Sequence, residues 1–60
     1  MKKYVALLTS EEEIDRIAWY LVYNGYPIEW KNKFSFFIDE DFEYAVDIIL
    51  NDEGIPHIIR

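Results

Sequence analysis

Tyr26-Pro27-Ile28-Glu29-Trp30-Lys31-Asn32-Lys33-Phe34-Ser35-Phe36-Phe37-Ile38 is the stretch that decides the fold, because it contains two runs of alternating polarity joined by a polar turn. Tyr26, Ile28 and Trp30 fall on one face and Pro27, Glu29 and Lys31 on the other, the period of two that marks a half-buried strand. Phe34, Phe36 and Ile38 repeat the pattern. The two apolar sets share a side if Trp30 lies opposite Phe34 and Ile28 opposite Phe36, which predicts a three-residue loop of Lys31, Asn32 and Lys33. A two-residue loop would place them on opposite faces, since a slip of one residue inverts a strand. Asn32 suits the left-handed conformation such loops often use.

On either side of this hairpin the chain predicts one amphipathic helix and one further strand. Lys3 to Leu8 is an almost continuous apolar run, as expected of a strand covered on both faces. Ser10-Glu11-Glu12-Glu13 reads as a capping box, the Ser10 hydroxyl accepting from the Glu13 N–H and the Glu13 carboxylate reaching back to Ser10. Ile14, Ile17, Ala18, Leu21 and Val22 form the apolar stripe of the helix that follows. Asn24-Gly25 closes it, with Tyr26 in hydrophobic contact and Pro27 blocking continuation. Asp39 caps the second helix, whose stripe is Phe42, Ala45, Val46, Ile49 and Leu50 and whose first turn is acidic. Gly54-Ile55-Pro56 then repeats Gly25-Tyr26-Pro27, and Ile55 to Arg60 is a last strand.

The order is therefore βαββαβ in two similar halves. Right-handed crossovers between split βαβ units lead to an α+β, ferredoxin-like sandwich: a four-stranded antiparallel sheet in the order 4-1-3-2 with both helices on one face. Pro27 and Pro56 would then fall in the two edge strands, where a missing N–H is tolerated.

Sixty residues make one domain, 1–60. Size scaling gives about 6,400 Å² buried on folding, worth about 90 kcal/mol if a little over half is apolar. The ordering cost is also about 90 kcal/mol. Two Trp, five Tyr and four Phe enlarge the core without any Cys to staple it, and association is the other available aid. Met1-Lys2-Lys3 followed by a short apolar run predicts neither a signal peptide nor a membrane span, so the expected location is cytoplasmic. A formal charge of −6 argues against direct nucleic-acid binding, which needs a basic face.

Catalytic and metal-binding patterns are absent, and the expectation is a non-enzyme without cofactor or metal. His57 is the only His, Ser10 is a cap, and Thr9 and Ser35 have no base at a recognisable spacing. His57 reads as a structural residue. The carboxylates admit a nucleic-acid mimic, but the topology sets Glu11–Glu13 beside Lys31 and Lys33 and sets Asp39–Glu43 beside Lys2, Lys3 and Arg60.

Two surfaces remain. If Tyr4, Ala6, Leu8, Phe34, Phe36 and Ile38 face the helices, then Val5, Leu7, Phe37 and Ile58 form an apolar stripe on the open sheet face, suited to a homodimer or another protein. On the first helix Trp19, Tyr20 and Tyr23, with Arg16 among them, lie off the core stripe and are of the types that dominate binding energy. Both surfaces point to a small acidic protein-binding module, a regulator or inhibitor, such as short virus-encoded chains often are.

The segments Ala18 to Ile28 and Phe36 to Ile49, in which a strand runs into an acidic cap and an Ala-centred helix, resemble small bacterial βαββαβ domains of the signal-transducing type and, more distantly, ACT domains. That resemblance implies a regulatory domain that dimerises and, as an alternative reading, senses a small ligand at the dimer interface.

Overall fold

The computed structural model describes residues 1–60. Strand β1 (Lys2–Leu7) leads to helix α1 (Glu11–Tyr23), the hairpin β2 (Glu29–Asn32) and β3 (Ser35–Asp39), a 3-10 turn (Glu40–Phe42), helix α2 (Glu43–Asp52) and strand β4 (His57–Ile59). All pairings are antiparallel. The sheet order is β2-β3-β1-β4, which reads 4-1-3-2 from the opposite edge.

The helix ends follow from local chemistry. Gly25 and Gly54 have positive φ, 85° and 72°. At α1 the Tyr26 N–H donates to the Leu21 carbonyl at 2.9 Å and the Gly25 N–H to Val22 at 3.1 Å; at α2 the Ile55 and Gly54 N–H groups donate to Leu50 and Asn51 at 2.9 and 3.0 Å. These are two Schellman closures, each followed by an apolar residue and a proline. A Cβ at either glycine would meet nothing within 4 Å, so the backbone conformation alone calls for glycine.

At the start of α1 only half of the capping box forms. Ser10 accepts from the Glu13 N–H at 3.5 Å, while the Glu13 carboxylate turns to Arg16. Asp39 caps one turn earlier than the α-helix proper, its Oδ1 accepting from the Asp41 N–H at 2.9 Å within the 3-10 turn.

The inner face of the sheet contributes Val5, Leu7, Phe36 and Ile38 to one core, joined by Ile14, Ile17 and Leu21 of α1, Val46 and Leu50 of α2, and Ile55. The accessible surface of 4041 Å² matches the area expected for a folded chain of this mass.

Four expectations are corrected by this arrangement. Val5 and Leu7 are core residues, 0% and 2% exposed, and do not lie on the open face. An unbroken apolar run carries no parity of its own; cross-strand register sets it, pairing Val5 with Phe36 and Tyr4 with Phe37. The hairpin pairs Trp30 with Phe36 and Asn32 with Ser35, so Lys33 and Phe34 form a two-residue turn. An irregularity between Trp30 and Asn32 absorbs Lys31 and restores the shared face that a two-residue loop would otherwise destroy. No non-glycine residue takes positive φ. Asn32 acts through its side chain instead, its Oδ1 accepting from the Phe34 N–H and the Ser35 hydroxyl, both at 2.8 Å. Finally, Pro27 and Pro56 precede their edge strands and are not members of them.

Candidate protein interface

Because β1 is inverted relative to the expectation, the open sheet face carries Tyr4 and Ala6 beside Phe37 and Ile58. The registers Tyr4↔Phe37 and Ala6↔Ile58 hold these four together, with Tyr4 and Phe37 ring centroids 5.8 Å apart. This patch is not bare. The Lys31 ammonium lies 4.9 Å from the Tyr4 ring centroid and 5.8 Å from that of Phe37, so the bulged residue of β2 folds over the two aromatics.

The outer face of α1 is more open. Trp19 and Tyr23, one helical turn apart, are 63% and 80% exposed, with ring centroids 5.8 Å apart. Tyr20 is exposed on the adjoining side, and Tyr44 and Ile48 of α2 are exposed as well. Arg16 is not a free contact. It pairs with Glu13 in the preceding turn and, at 3.4 Å, with Glu53 after α2, which pins the C-terminal end of α2 to α1. The hydrogen bond to Glu13 raises its pKa, so its charge is constant.

The tertiary structure extends the α1 surface in a way helical spacing does not reveal. A groove of about 270 Å³ runs between α1 and edge strand β2, lined by Asp15, Ala18, Trp19, Val22, Ile28 and Trp30. Trp30 packs edge-on against Phe36, centroids 5.9 Å apart, yet stays 48% exposed. Val22, assigned from its spacing to the core stripe, is also exposed. The sequence signal for this groove was a surplus of apolar residues. Five positions matched the α1 stripe, but a two-layer fold of this size covers only those that meet the sheet.

The charged groups are mostly paired. Lys33 reaches Glu11 at 3.4 Å, Lys3 reaches Glu43 at 3.5 Å, the N-terminal amine reaches Glu40 at 3.6 Å, and Lys2 pairs with Glu29. Asp15 has no such partner although it borders the groove.

His57 sits on the inner side of β4 with both ring nitrogens engaged: Nδ1 is 2.8 Å from the Ile55 carbonyl and Nε2 is 2.6 Å from Asp47 Oδ1. The contact with Asp47 links β4 to α2. No group of three or more His, Cys, Asp or Glu residues is placed to hold a metal ion. No helix is long and apolar enough to cross a membrane.

Compared with known protein families, curated proteins and solved structures, the chain finds no significant match.

Proposed function

We propose that this chain is a ferredoxin-like protein-binding module that works in the cytoplasm by contact with another protein, as its regulator or inhibitor. The observation that carries this reading is the continuous exposed apolar surface formed by Trp19, Val22 and Tyr23 of α1 with Trp30 of β2. Aromatic side chains of this size, left in water beside a concave groove, are what interface cores are made of. Their exposure contributes nothing to a monomer's stability, and a partner that covers them gains the burial.

The open sheet face is the second surface, and self-association through Tyr4, Phe37 and Ile58 is the use it suits. Lys31 must move aside for it. Mimicry of a nucleic acid is less favoured, because Glu11, Glu13, Glu29, Glu40, Glu43 and Glu53 are each tied to a cation, which interrupts the row of free negative charge a mimic presents.

The test is capture by the immobilised domain, followed by reconstitution with the purified captured protein. Trp19→Ala/Tyr23→Ala should weaken the reconstituted complex at least tenfold while the circular dichroism spectrum is unchanged, since both side chains are exposed. Equal affinity for wild type and variant would refute the assignment of this surface.

A further inference from the structure

We propose that the groove between α1 and β2 receives an arginine side chain from the partner protein, its guanidinium against the indoles of Trp19 and Trp30 and facing the Asp15 carboxylate. The proposal rests on the protein-binding reading above and specifies the chemistry of the partner.

Size is the first argument. At about 270 Å³ and open to solvent, the groove falls at the lower end of the range of small-molecule sites. It suits a single inserted side chain. The second is its lining, in which two tryptophans, the aromatic residues that attract cations most strongly, border the same hollow as a carboxylate.

Charge complementarity is the third argument. A neighbouring hollow of about 380 Å³, lined by Glu11, Asp15, Trp30, Asn32 and Lys33, shares Asp15 and Trp30 with the groove. The local cations are already engaged, Lys33 by Glu11 and Arg16 by Glu13 and Glu53. Asp15 is therefore an uncompensated negative charge at an aromatic wall, on a chain of net charge −6. A flat guanidinium satisfies both elements together, stacking on an indole while donating two hydrogen bonds to a carboxylate; an ammonium cannot do both as well.

Edge strand β2 borders the groove, but it is short and irregular at Lys31, features that discourage addition of a further strand. Recognition here is by side chain and not by a backbone ladder.

The test is NMR titration of the ¹⁵N-labelled domain with capped Ser-Arg-Ser, and with the same peptide carrying citrulline, lysine or glutamate in place of arginine. The arginine peptide should give saturable shifts centred on the Trp19 and Trp30 indole N–H signals and the Asp15 amide, with citrulline at least about fivefold weaker. Asp15→Asn, an exposed change that leaves the fold intact, should weaken arginine binding about two- to fivefold. Trp19→Ala should weaken it about threefold or more. Equal binding of citrulline or glutamate, tighter binding of lysine, or shifts centred elsewhere would overturn the proposal. If the peptides fail but Trp19→Ala/Tyr23→Ala still releases the captured protein, the arginine assignment fails and the binding surface stands.

Discussion

At the scale of single residues, the chain uses a few positions whose chemistry leaves little choice. Gly25 and Gly54 are the clearest, since each closes a helix at positive φ with open space where a Cβ would stand. Gly54→Ala should therefore destabilise the domain by about 1–2 kcal/mol through backbone strain alone. Urea unfolding would register this as a lower midpoint at unchanged m-value; an unaltered midpoint would show that the closure relaxes at no cost. Both glycines were legible in the sequence because glycine has a distinctive conformational role. Asn32 was half legible. Its place in the turn was readable, but the hydroxyl of Ser35 and the amide of Phe34 that it serves are known only once the register is fixed. The pairing of His57 with Asp47 had no signal at all, as the two residues are ten positions apart on different elements.

At the scale of elements, the hairpin is the instructive case. The requirement that Trp30 and Phe36 share a face was readable from periodicity, and the structure meets it by a different route: a shorter turn together with a bulged Lys31. Deleting Lys31 isolates that device. The remaining residues form a regular two-residue hairpin that still pairs Trp30 with Phe36 and Asn32 with Ser35, so the nuclear Overhauser contacts between Trp30 and Phe36 should persist while the Lys31 cover over Tyr4 and Phe37 is lost. Loss of the Trp30–Phe36 contacts in the deletion variant would mean that Lys31 is not the extra residue that the irregularity absorbs. Helices α1 and α2 were readable as elements because their apolar spacing, caps and glycines agree with one another. Their exposed residues were less so, since Val22 belongs to the stripe by spacing and to the surface by position.

At the scale of the whole molecule, the question is how so small a domain manages more apolar surface than it can cover. Lys31 lies over Tyr4 and Phe37 on the open sheet face, and this cover should limit self-association there. Light scattering on a sizing column should find Lys31→Ala more associated than wild type at micromolar concentration, and Phe37→Glu monomeric. A monomer in all three would assign the open face to no homodimer. The sequence by itself determined the α+β class, the order βαββαβ, the Ser10 cap, the two glycine closures, and the excess of exposed aromatics, because each follows from residues close together along the chain. Only the tertiary structure decided that Val5 and Leu7 are core, that Tyr4 and Ala6 take their place outside, and that Trp19, Trp30 and Asp15 line one groove. These depend on register between distant strands and on which helix flank meets which sheet edge, and a continuous apolar strand looks the same in either register until a partner is packed against it.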